Sequence, residues 1–175
     1  MVFLSSLCSF LAFGIMVFAS LMKGQTMGKI LAAVCIGNTV AGLGYLFAGG
    51  ALGGAIANFY GAIIAIVNYI FDTYGKPLPK WLIATYALIS IGLNIWTSGG
   101  LDIYAIIVIA AFFAYIFGIT SRSGAMYRVW NVSNVSLWCV YDVITGSFGV
   151  LPAHLLQICF AVVGMIIHDR KKKVK

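Results

Sequence analysis

The chain has 175 residues, 62% hydrophobic and only 9% charged, with eleven Lys/Arg, four Asp and no Glu, for a net charge of +7. A soluble domain carries about 25% charged residues. This composition therefore excludes a soluble globular enzyme, a disordered chain and, for want of polar surface, a nucleic-acid binder; a polytopic membrane protein remains.

A bilayer core of about 30 Å takes roughly 20 helical residues to cross. Apolar runs separated by turn residues predict seven such spans, at 2–22, 30–48, 54–72, 81–97, 102–120, 129–146 and 151–168. The first run has no basic residue before Lys23. It therefore lacks the positive start of a leader peptide and reads as a transmembrane helix. The fourth span is short and flanked by Trp81 and Trp96, as interfacial anchors should be. Gly/Pro/Ser-rich stretches such as Gly75-Lys76-Pro77-Leu78-Pro79 and Ser121-Arg122-Ser123-Gly124 punctuate the series. Cys8, Cys35, Cys139 and Cys159 lie in apolar runs without a C-x-x-C pair, so they read as small core residues.

The charges test the count. Lys23 and Lys29 fall between spans 1 and 2, Lys76 and Lys80 between 3 and 4, and Arg122 and Arg128 between 5 and 6. Arg170, Lys171, Lys172, Lys173 and Lys175 follow span 7. Seven spans put all eleven basic residues on one side, and six or eight would not. The positive-inside bias then predicts an external N-terminus and a cytoplasmic C-terminus. The basic tail reads as a topology anchor for anionic lipid.

Residues 36–70 align with 132–166 without gaps and share eight identities, among them Asn38/Asn134, Tyr45/Tyr141, Gly50/Gly146 and Ala57/Ala153. Spans 1–3 then correspond to spans 5–7, and span 4 is the linker. An odd linker brings the second triplet in with the orientation of the first, a parallel repeat. The expected organisation is a first three-helix bundle at 1–72, a linker helix within 73–98, a second bundle at 99–169 and the tail 170–175.

A 3+1+3 parallel bundle in so short a chain resembles the SWEET / PQ-loop superfamily, which includes the PnuC-like vitamin transporters. Within it, the stretch from Trp138-Cys139-Val140-Tyr141-Asp142 to Gly146-Ser147-Phe148-Gly149 is similar to the span-6 motif of the YgjV-type bacterial inner-membrane proteins. The resemblance implies a small-molecule transporter of the bacterial inner membrane, with trimers by analogy. It also implies a substrate-facing polar residue on the third helix of each triplet, and Asn58 and His154 match those positions. The first-helix prolines and the Pro-Gln pairs of SWEET triplets are absent. Gly14, Gly37, Gly42, Gly44 and Gly118 are the candidate flexible points instead.

Polar side chains within spans are the candidate site residues, because hydrocarbon tolerates them only against partners or water. Asn38 and Asn134 are either substrate contacts or interhelical glue. Asn58, His154 and Gln157 are the candidate binding residues of spans 3 and 7. Trp138, Tyr45 and Tyr141 offer rings for stacking on a sugar or vitamin, or serve as packing residues. An imidazole titrates near neutral pH, so His154 and Asp142 are the candidate proton-coupling pair. Asp142 is alternatively a partner of His154 or a hydrated carboxylate near the interface. No catalytic constellation, metal cluster, cofactor motif or nucleotide motif is present, so no enzyme, metal or cofactor is expected.

The expectation is a facilitator or secondary carrier for a neutral or weakly polar metabolite such as a sugar, vitamin or nucleoside, bound between the triplets. With Asp142 the lone acid within a span, a passive carrier leads. The alternative is a non-transporting binding or scaffold subunit that acts with a partner protein.

Overall fold

A computed structural model describes residues 2–22, 27–48, 52–145 and 151–169. It contains seven α-helices: α1 Val2–Leu21, α2 Met27–Ala48, α3 Leu52–Thr73, α4 Lys80–Ser98, α5 Ile103–Thr120, α6 Gly124–Thr145 and α7 Leu151–His168. Six of them are long and apolar enough to cross a membrane. The chain is therefore a multi-pass membrane protein. Its surface agrees, because Phe3, Phe10, Leu88 and Trp96 are each at least two-thirds exposed and need hydrocarbon or headgroups around them.

The exception is α6. It has the length but not the hydropathy, because Arg128, Asn131, Asn134, Trp138 and Asp142 recur at spacings of three or four residues. That spacing places them on one face of a helix. Sequence hydropathy started this span at residue 129 and left Arg128 in the preceding loop. The structure corrects both: the helix starts at Gly124, and Arg128 sits in its second turn, fully buried. An acidic partner just beyond α7, described below, neutralises the cation there.

Local chemistry sets the other boundaries. Gly75 adopts a left-handed conformation with φ 63° after α3. Gly75 N–H then donates to the Asp72 carbonyl and Lys76 N–H to the Phe71 carbonyl, both at 3.0 Å, the paired closure of a Schellman turn. Pro77 and Pro79 prevent the helix from resuming before Lys80. The Asp102 carboxylate caps α5 by accepting from Ala105 N–H at 2.7 Å.

Helices adjacent in sequence pack on one another, α4 on α3 and α5 included. The bundle is closed by contact of α7 with α1. The main core cluster lies among α2, α3 and α5, around Ile30, Leu31, Val34, Ile64, Ala65, Ile116 and Ile119. The cysteines are free thiols. Cys159 is exposed rather than a core residue, because it lies on the outward face of α7. The start of α2, the end of α3 and the end of α5 line one recess with Lys76 and Arg122, so the described basic residues gather at one end of the bundle.

Candidate functional site

The polar face of α6 is where this chain departs furthest from a hydrocarbon-filled bundle. From Arg128 to Asp142 is fourteen residues, or about 21 Å of rise at 1.5 Å per residue. At the basic end, Arg128 grips Asp169, just beyond α7, with Nε at 2.8 Å and Nη2 at 2.5 Å from the two carboxylate oxygens. Its Nη1 donates to the Met22 carbonyl at 2.6 Å. A bidentate guanidinium suits this task because its fork matches a carboxylate while a third donor reaches elsewhere. His168 lies 2.9 Å from the Leu21 carbonyl through Nε2. The end of α1 is thus held by residues of α6 and α7.

One turn inward, Asn131 donates to the Ser20 hydroxyl at 3.2 Å and accepts from Gln157 at 3.4 Å. The backbones of α1 and α7 come closest here. A Cβ built on Gly164 would run into the Ser20 carbonyl and lie 3.0 Å from Arg128 Cδ. Further along, Asn134 donates to the Ala111 carbonyl of α5 at 2.7 Å.

At the far end, His154 Nδ1 lies 2.6 Å from Asp142 Oδ2. Asp142 is buried and the His154 side chain is one-fifth exposed. The Asp142 carboxylate is therefore the partner of His154 rather than a hydrated interfacial group. Aromatic rings enclose the pair. Trp138 is tilted by 32° to the imidazole at 6.3 Å, Tyr141 meets Trp138 edge-on at 5.5 Å, and Tyr104 of α5 meets Tyr141 at 6.4 Å. Tyr45 of α2 is within electrostatic reach of Asp142, and its ring packs on Gly54 of α3.

A second polar cluster joins α2, α3, α4 and α5. Asn38 donates to the Tyr115 hydroxyl at 2.7 Å, and that hydroxyl donates to the Gly61 carbonyl at 2.7 Å. Asn68 donates to the Ile119 carbonyl at 3.1 Å and faces the Tyr86 hydroxyl at 3.5 Å. Tyr60 donates to the Tyr86 carbonyl at 3.0 Å.

The predicted residues therefore divide. His154, Asp142, Trp138 and Tyr141 come together, with Tyr45 nearby. Gln157 joins Asn131 instead. Asn38 and Asn134, equivalent in sequence, make unlike bonds, one to a tyrosine hydroxyl and one to a backbone carbonyl. Asn58 donates back to the Gly54 carbonyl of its own helix at 2.8 Å, and no described contact joins it to His154. Sequence reasoning missed Arg128, Asp169, Ser20 and Tyr115. Extending the polar stripe of α6 back by one turn from Asn131 would have found Arg128.

Two recesses border this interior. One, a cavity of about 10 Å³, lies between α3, α4 and α5 beside Tyr60, Ser90 and Asn94. The other, of about 30 Å³, opens at the basic end beside Asn68, Asp72 and Arg122. Neither is lined by the predicted binding residues. Among the described residues, no three His, Cys, Asp or Glu side chains gather as metal ligands, and every buried side-chain nitrogen or oxygen has a hydrogen-bond partner. The chain matches no family model, no curated protein and no solved structure.

Proposed function

We propose that this chain is a membrane transporter, a facilitator or secondary carrier for a neutral or weakly polar metabolite such as a sugar, vitamin or nucleoside. Two parallel three-helix bundles, 1–72 and 99–169, flank the path, and α4 links them. The basic end faces the cytoplasm and the N-terminus lies outside. The resemblance to YgjV-type and SWEET / PQ-loop proteins and the internal repeat support this reading, and the resemblance brings with it a bacterial inner-membrane setting. The observation that carries it is the polar face of α6, buried at Arg128 and Asp142 and half-buried between them. Such a face is expensive inside a membrane and marks substrate or ion pathways by default. His154, Gln157, Asn134 and Asn38 supply hydrogen-bonding groups, Asn58 joins them once released from its own helix, and Trp138, Tyr141 and Tyr45 supply stacking surfaces.

The test is uptake by proteoliposomes containing only this protein, across a panel of radiolabelled sugars, nucleosides and vitamins. Saturable uptake that falls at least tenfold in Asn58→Ala or His154→Ala supports the reading. No flux for any solute, with or without a pH gradient, overturns it. One observation favours a second reading, a non-transporting subunit: the described buried polar atoms already satisfy one another. A stoichiometric partner that co-purifies with the full chain and is lost on deleting 170–175 would establish it.

A further inference from the structure

The polar face of α6 connects the two ends of the bundle, and its two acidic anchors differ. Asp169 is held by Arg128, a guanidinium that keeps its proton throughout the physiological range. Asp142 is held by His154, the one side chain here whose two nitrogens can take a proton on one side and give one up on the other. Between them stand Gln157 and Asn131, hydrogen-bonded to each other, and Ser20, bonded to Asn131. Gln157 lies one turn along α7 from His154.

We propose that this file, from Asp142–His154 through Gln157 and Asn131 to Ser20, carries protons across the bundle. In each passage one proton enters from the far end onto Asp142. It moves to His154 Nδ1 while Nε2 releases one toward the basic end, through water held by the amides and the Ser20 hydroxyl. The carboxylate is then ionised and the imidazole neutral with its proton on Nδ1, so atoms and charge balance with no other reactant, and a flip of the ring returns the proton-free nitrogen to Asp142 for the next passage. Nitrogen chemistry sets the choice of ion. A hard cation such as sodium takes oxygen ligands, whereas an imidazole nitrogen, which lies against the Asp142 carboxylate, takes a proton. The other titratable groups around the dyad are Tyr45 on α2, Tyr104 on α5, and Cys139 and Tyr141 on α6. None of them is basic, so His154 is the proton acceptor. This inference goes beyond the carrier reading, because the file moves protons with no solute bound. The assay uses no solute, so the two readings fail separately.

The experiment reconstitutes the full chain in vesicles that hold a pH-sensitive dye. Potassium and valinomycin clamp the potential, and the outside is acidified. Proton entry at least tenfold faster than in protein-free vesicles is expected. It should fall to the protein-free rate in Asp142→Asn and in His154→Gln, and persist in Asp72→Asn, which removes an exposed carboxylate at the basic end. A second measurement needs no variant. Dicyclohexylcarbodiimide adds to a protonated buried carboxyl group, so it should mass-label Asp142 and stop proton entry in the native chain. Entry no faster than in protein-free vesicles overturns the proposal. So does full entry in both dyad variants, or full entry after Asp142 has been labelled.

Discussion

Replacing Arg128 with Met keeps most of the side-chain volume and removes the charge. The substitution deletes both hydrogen bonds to Asp169 and the one to the Met22 carbonyl. Breaking one side of a buried ion pair costs about 3–5 kcal/mol, because the remaining charge stays desolvated. Asp169 keeps 20% of its side-chain surface exposed at the end of α7, and water recovers part of that loss. The expected cost is therefore at the low end, about 3 kcal/mol. At roughly 2–4 °C per kcal/mol for a chain of this size, the melting temperature should fall by about 6–12 °C. The double variant Arg128→Met/Asp169→Leu removes both charges and should recover most of the loss, since an apolar replacement of a whole buried pair is often neutral or better. Thermal unfolding in detergent, followed by thiol-reactive dye capture of the four free cysteines, measures both. A single variant that melts within about 2 °C of the native chain would refute the reasoning. So would a double variant no more stable than the single one.

Other outcomes follow from the same geometry. Gly164→Val places a branched side chain against the Ser20 carbonyl and should pry α1 from α7; the loss of a cysteine-pair crosslink engineered between these helices would report it. Asn38→Leu removes the bond to Tyr115 and should cost about 0.6–1.7 kcal/mol, the range for one interhelical hydrogen bond in a membrane protein, read as a small melting shift. In bacteria, a fluorescent protein fused after Lys175 should fluoresce, and a thiol introduced at Ser98 beside the basic-free α4–α5 turn should be labelled by an impermeant maleimide from outside. The reverse pattern would invert the topology.

How much of this was legible in the sequence varies by element. α7 was read at its observed bounds, and α1, α3, α4 and α5 to within two residues at each end, because long apolar runs broken by Gly and Pro have one reading in a bilayer. α6 was truncated because hydropathy penalises a cation without knowing its partner. Arg128 and Asp169 are 41 residues apart, and only the fold brings them together. The same limit explains the site. The Asp142–His154 contact was one of three readings for Asp142, since residue type names a candidate and tertiary packing chooses among them. Asn58 shows the converse. The repeat made it equivalent to His154, but an amide within reach of its own helix backbone satisfies itself locally.

The grip on the end of α1 also orders events in time. Ser20, Leu21 and Met22 are bonded by Asn131, His168 and Arg128, residues that follow them by 111, 147 and 106 positions. A chain emerging from the ribosome inserts its first helix long before any of these exists. Those contacts of α1 thus form late, when the last two helices arrive. Closure is a late, long-range step of the kind that slows folding. Losing the last turn of α7 would therefore loosen the end of α1, and the first three helices made alone would lack the residues that secure it.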